Sequence, residues 1–345
     1  MASPRFLQSD FFQLWKEADL ATSTRCLYRN KYGERCKREA IKAHSLQRKG
    51  PLREIEHENH VYSNTPDSPM SDRLISPIRV STKRASTFPG FCSEHDASLF
   101  KSIETSNAEF SAKAAFVVSF RAFCMELYKK EHQKNLFLLM REDKRLSSNM
   151  HSQLKSWLKG ITLAQSDTKR IERSFYNHLH GGAAQKWQGL SLELDQKPPF
   201  CYTGGFAPDI DLCGHELFLR DPVTCQWNML TIFCGRLLDK NLFVVAGFQH
   251  FSYHRTHQFL ESLLQADIHE LPNLILNIGI IYVENFFMNI PWFDSLPPAD
   301  KLLITQLRYK NVVDSPKLND FRKNFSIPLP GVLSGSFCSH SNPKA

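Results

Sequence analysis

Apolar residues fall into three textures along the chain. "MASPRFLQSDFFQLWKEADL" opens it as a short amphipathic helix. From about residue 105 to 180 the spacing is three and four, as in "EFSAKAAFVVSFRAFCMELYKKEHQKNLFLLMRE", where Phe116, Phe120, Phe123 and Leu127 share one helical face. Leu154, Trp157 and Leu158 predict a further helix. After Gly181-Gly182 the period shortens. "WQGLSLEL", "FCYTGGF", "HELFLRD", "WNMLTIFCG" and "NLFVVAGFQH" are short apolar or alternating runs between turn residues, the pattern of a mainly antiparallel sheet. "HQFLESLLQ" and the segment after Leu271 return to helix, with "ENFFMNIPWFDSLP" closing a core helix by a Pro-led turn. Between the first helix and the middle one, residues 62–84 are rich in Ser, Pro and Asp and predict an exposed excursion, and Pro89-Gly90 predicts a turn before a helix capped by Ser93. The predicted architecture is α+β, with a small N-terminal knuckle module over residues 1–104, a helical segment over 105–180 and an α+β domain over 181–345.

Composition and charge narrow the class. The chain is 42% hydrophobic and 23% charged, which is the balance of a folded soluble protein rather than a disordered one. Lys and Arg outnumber Asp and Glu by 16 to 12 in residues 1–100 and by 14 to 8 in 101–180, then fall behind by 13 to 15 in 181–345. The basic excess belongs to the first half, where it would draw phosphate backbones or acidic partners, or simply form a solvated face. No charged stretch followed by an apolar one opens the chain, and "LPNLILNIGIIYVENFFMNIPWF" is interrupted by Asn277, Glu284 and Asn285. A secretory leader and a membrane helix are therefore not expected. Nine cysteines without dense, even spacing predict a reducing, cytoplasmic setting in which they are free thiols or metal ligands.

Four candidate ligands sit in two short pieces. "CLYRNKYGERC" holds Cys26 and Cys36 with nine residues between them in a polar, Gly-containing loop, and "CSEH" holds Cys92 and His95 at the start of a predicted helix. Two pieces that each offer two soft or borderline donors are what a tetrahedral structural zinc site requires. Cys124, Cys201, Cys213, Cys225 and Cys234 lie in apolar runs that burial explains, and Cys338 has no evident role.

The order of a cysteine pair, a strand carrying His44 eight residues later, and a Cys-x-x-His opening a helix resembles the treble clef of the HNH nuclease class, over residues 24–104. That resemblance implies Cys26, Cys36, Cys92 and His95 as zinc ligands, His44 as general base, and a second divalent metal for hydrolysis. The sequence departs from the family where a metal ligand usually precedes the base, because the residue there is Ala43. "STFPGF" lacks the Asn that orients the base, and no further His follows Asp96 closely. His60 and Asp96 are the remaining candidates to complete a hydrolytic site. "IKAHSLQ", "HVYS" and "ASTFPGFCSEHD" are also similar to a pattern of uncharacterised bacterial proteins, which implies no activity. Read without the family, His44 is a half-buried strand histidine donating to a backbone carbonyl.

Asp209 and Asp211 before Gly214-His215 fit a carboxylate site but more simply an Asp-rich turn, with Cys213 beside it. "HLHGG" reads as a hinge, and "HFSYHRTHQF" gathers His250, His254 and His257 at a helix start. Trp292 and Phe293 are expected to pack on the sheet. The leading functional expectation is a zinc-stabilised protein binding DNA or RNA, or another macromolecule. Its phosphate contacts would come from Arg29, Lys31, Arg35, Lys37, Arg38, Lys42, Arg48 and Lys49. The alternatives are an HNH-like nuclease using His44, and an interaction or sensor protein acting through the C-terminal sheet.

Overall fold

A computed structural model describes residues 6–63, 77–104, 109–182, 187–217, 229–248, 253–313 and 316–340. In chain order the elements begin with α1 (Gln8–Ala21), β1 (Ile41–His44), a π turn (Arg48–Leu52), α2 (Arg53–Ile55), β2 (His60–Ser63), β3 (Ile78–Ser81) and β4 (Thr87–Phe91). The helices α3 (Ser93–Glu104), α4 (Ala112–Glu142) and α5 (Ser148–Leu179) follow. The second half runs β5 (Trp187–Leu194), β6 (Phe200–Phe206), β7 (Leu230–Leu237), β8 (Lys240–Phe248), α6 (Tyr253–Gln265), α7 (Leu271–Tyr282), β9 (Phe286–Met288), α8 (Ile290–Ser295), α9 (Pro298–Val313), α10 (Leu318–Phe321) and β10 (Val332–His340).

An eight-stranded sheet in the order β10-β5-β8-β7-β6-β9-β2-β3, antiparallel throughout, organises the molecule. Both faces of its central strands β5 to β9 are buried, because residues alternate along them between two cores, while most of the edge strand β10 is exposed. Cys201, Phe233, Val244 and Ala246 turn to the layer that contains α4, while Phe200, Ile232, Phe243 and Val245 turn to the layer built by α6, α7 and α9. This explains why β8 reads as the unbroken run "LFVVAGF".

Helix α4 is the spine. Every residue from Ala114 to Met125 is buried, so its first half is enclosed on all sides instead of presenting the single face its phenylalanines predict. Phe123 stacks on Phe175 of α5 at 4.6 Å, and Phe175 meets Phe248 of β8 edge-on at 4.8 Å. The second half of α4 leaves the sheet and packs with α1 and the start of α5 around Phe11, Leu136, Met140 and Leu154. Ser111 and Ser147 cap α4 and α5 by accepting from the amides of Ala114 and Met150.

Three local expectations change. The core helix after Leu271 stops at Tyr282, and Phe286–Met288 is a strand wedged between β6 and β2. Phe-Phe-Met suits a strand buried on both faces, and Asn289 then caps α8 by accepting from the Trp292 amide. The stretch read as an excursion is partly strand: it opens in β2 and includes β3, which pairs with β2, before a turn over residues 82–84, and residues 64–76 lie outside the described residues. Among "HELFLRD" residues, Glu216 makes only an isolated bridge to Ile210, and 218–221 lie outside the described residues. No described helix is long and apolar enough to cross a membrane.

Candidate metal centre

The first pair of ligands is set by a hairpin-like knuckle. Bridges Arg25–Glu39 and Arg29–Arg35 bring its arms together, and the Cys26 amide donates to the Arg38 carbonyl at 2.9 Å while the Cys36 amide donates to Tyr28 at 2.8 Å. Gly33 takes φ +83° at the tip, a conformation that favours glycine, and Asn30 Oδ1 accepts from the amides of Tyr32 and Glu34. Arg35 spends its guanidinium inside the knuckle, donating to the carbonyls of Cys26 at 3.0 Å and Arg25 at 2.7 Å.

β1 pairs with β4, and β4 runs directly into α3. The Leu27 amide donates to the Gly90 carbonyl at 2.7 Å, which docks the knuckle on that strand. Cys92 lies between β4 and α3, and its carbonyl accepts from the Asp96 amide, so the cap position falls on Cys92 and Ser93 is already helical. One turn on, His95 turns back to the thiols.

The donor atoms of Cys26, Cys36, Cys92 and His95 all lie within 4.8 Å of one another. His95 Nδ1 is 3.3 Å from Cys92 Sγ and 3.5 Å from Cys26 Sγ. Zn–S bonds of about 2.3 Å and a Zn–N bond of about 2.0 Å place tetrahedral donors roughly 3.5 to 3.8 Å apart, so the cluster has the dimensions and the donor set for a metal of this class. Burial, with the Cys92 thiol beside it, pushes the Cys26 thiol up to about 11. Burial and then the Arg38 charge hold His95 below the ordinary histidine range, which keeps its imidazole neutral as a ligand must be. The Tyr28 ring stacks on His95 at 3.8 Å and fixes its plane.

His44 ends β1 opposite Thr87, half-buried, with Nε2 donating to the Thr82 carbonyl at 2.9 Å. Burial lowers its pKa, and Asp96 is near enough to oppose that shift. Asp96 itself is raised by burial and drawn down by Arg121, whose Nη2 is 3.6 Å from its carboxylate and 2.7 Å from Glu104. His60 is elsewhere, at the start of β2, with Nδ1 donating to the Glu58 carbonyl at 2.7 Å. The carboxylate nearest His44 is therefore already committed to a buried arginine.

The eight basic candidates divide. Arg35 is consumed by the knuckle, Arg38 pairs with Glu94, and Arg29 pairs with Glu172 at 2.8 Å. Lys31, Lys37, Lys42 and Lys49 are exposed and make no ion pair among the described residues, and Arg48 is half-buried in the π turn. The Asp211 turn is self-contained: its carboxylate accepts from the amides of Cys213 and His215, from His215 Nδ1 and from Gln258. "HLHGG" is a helix end rather than a hinge, since Gly181 takes φ +93° and the Gly182 amide returns to the Asn177 carbonyl at 2.7 Å. His257 pairs with Glu261, while His250, Cys225 and the His254 side chain lie outside what is described.

Sequence reasoning passed over a cleft of about 620 Å³ between the knuckle and α5, lined among others by Arg29, Lys31, Lys169, Arg173, Asn177 and His180. The signal for it was the four-residue spacing of Lys169, Arg173 and Asn177, which predicts one polar helix face. Comparison with protein-family models, curated proteins and solved structures gives no significant match.

Proposed function

We propose that the chain is a nucleic-acid-binding protein of the cytoplasm, whose N-terminal knuckles are closed by a structural zinc ion. One observation carries the reading: a buried set of three thiols and one imidazole converges beside a surface with unpaired lysines. Cys26, Cys36, Cys92 and His95 would hold the zinc, which would supply a cross-link between the two chain segments that carry them. With every donor supplied by the protein, such a site is closed and leaves no coordination position for a substrate. Lys31, Lys37, Lys42 and Lys49 then face phosphates without prior commitment to a carboxylate.

The test is metal analysis of purified protein together with fluorescence anisotropy on labelled oligonucleotides. About one zinc per chain is expected, lost in Cys92→Ser together with stability, and binding that weakens steeply with salt. Zinc-free but folded protein, or no affinity for any nucleic acid, would refute the reading.

A second reading is a divergent HNH-like nuclease. Its support is the run of knuckle, paired strands and helix, together with a His44 whose Nε2 donates to Thr82 and so leaves Nδ1 as an acceptor. It requires a second divalent metal, and Arg121 already sits on Asp96. Cleavage that depends on added magnesium or manganese and disappears in His44→Ala would establish it; full cleavage in that variant would end it. For a protein partner acting through the sheet, the docking points would be its edge strands, since helices cover both faces.

A further inference from the structure

The cleft beside the first knuckle has a composition of its own. Four cationic side chains, Arg29, Lys31, Lys169 and Arg173, line it against one carboxylate, Glu172, and that carboxylate is bonded to Arg29 at 2.8 Å. Lys31, Lys169 and Arg173 are exposed and make no ion pair among the described residues. Lys169, Arg173 and Asn177 follow one another on α5 at four-residue steps, about 6 Å apart along the helix axis, the scale of successive phosphates on an extended strand. His180 closes the end of the cleft by donating from Nε2 to the Arg29 carbonyl at 2.7 Å, which ties α5 to the knuckle and fixes the width between them.

An aromatic stands at the rim. Tyr32 lies between the lining residues Lys31 and Gly33, is 76% exposed, and covers none of the protein's core. Lys31 Nζ is 5.0 Å from its ring centroid. A large ring held out on the tip of a tight turn, next to a row of unpaired cations, has the two components of a single-strand site: a charged track for phosphates and a flat face for a base.

We infer that this cleft is the binding track for a single-stranded nucleic acid, with Lys31, Lys169 and Arg173 on successive phosphates and Tyr32 stacked on an unpaired base. The inference rests on the nucleic-acid reading above and adds the strandedness of the ligand and residues of α5 that lie outside the knuckle. A duplex keeps its base faces covered and gives Tyr32 nothing to stack on.

The experiment uses full-length zinc-loaded protein and fluorescein-labelled oligo-dT, oligo-U and a duplex of equal length. Single strands are expected to bind about tenfold or more tightly than the duplex, and the dT and U arms assign the sugar. Each phosphate contact on a single strand contributes about −0.7 to the slope of log affinity against log salt, so Lys169→Glu/Arg173→Glu should flatten the slope by about 1.4 and weaken binding about tenfold. Tyr32→Ala should weaken binding about tenfold while leaving the salt slope unchanged. A preference for the duplex would overturn the inference, as would a double variant of unchanged zinc content and melting temperature that binds within about twofold of the parent. If Lys37→Glu/Lys42→Glu/Lys49→Glu abolishes binding while the α5 variant does not, the nucleic-acid reading stands and the track falls. If the parent binds no oligonucleotide, both fall.

Discussion

His132 is buried where α1 crosses α4, against the Trp15 ring at 4.5 Å, and its Nε2 has no hydrogen-bond partner. Burial lowers its pKa from 6.5, with Asp19 and a backbone bond to Trp15 opposing. A histidine held neutral in the folded state costs nothing above about pH 6.5, where the unfolded chain is neutral too. As pH falls through that value the unfolded chain takes the proton first, and stability is lost until the lowered folded pKa is reached. Thermal melts between pH 7.5 and 5.5 should therefore fall in the parent and fall less in His132→Phe, which also removes an unpartnered nitrogen; an equal loss in both would contradict this assignment. The candidate ligands obey a different rule, since Cys26→Ser removes a sulfur donor for which a hydroxyl is a poor substitute on zinc. Zinc content of that variant, by atomic absorption, should drop from about one per chain to near zero. The convergence of these four donors was legible in the sequence because residue type and local spacing single them out. The commitments of Arg35 and Arg38 were not, because a guanidinium's partner is chosen by tertiary neighbours.

Two connections between elements are made by single small residues. Asn285, just before β9, donates to the hydroxyls of Ser45 at 3.1 Å and Ser86 at 2.9 Å, which themselves lie 2.6 Å apart. The two serines follow β1 and precede β4, at one end of that antiparallel pair, so one buried amide fastens that end of both strands to the sheet. Asn285→Ala leaves those hydroxyls one donor short and should cost about 2 kcal/mol, measured by urea unfolding. On the opposite face Gly279 of α7 lies flat on Tyr202 of β6, whose hydroxyl donates to the Ile275 carbonyl at 2.6 Å. A Cβ at that position would overlap the Tyr202 ring. Gly279→Ala should therefore lose about 1 to 3 kcal/mol through overpacking, against a helix-propensity gain of about 1. Periodicity made α4, α5 and the strands β5 to β8 legible. It failed at Phe286–Met288, where three apolar residues fit a helix end and a buried strand equally well, and only pairing with β6 and β2 decides.

At the scale of the whole molecule, the candidate metal ligands are not confined to an appendage. Cys26 and Cys92 share one apolar cluster with Phe120 of α4 and with Phe233 and Val244 of the sheet. Chelation should accordingly lower a single calorimetric transition for the entire chain, and an early melting step that leaves the remainder unchanged would refute that coupling. The sequence divides by texture and charge into three stretches, yet β2 pairs with β9 more than 200 residues away, a contact with no local signature. That pairing also sets a clock. All four ligands have been synthesised by residue 95, while the strand that anchors the intervening segment is completed only at Met288. At about 5 to 20 residues per second, the roughly 190 residues between them take about 10 to 40 seconds to make. During that interval β2 lacks the strand it will pair with, so the zinc proposed above, taken up once His95 has emerged, would join the two donor segments before the sheet is complete.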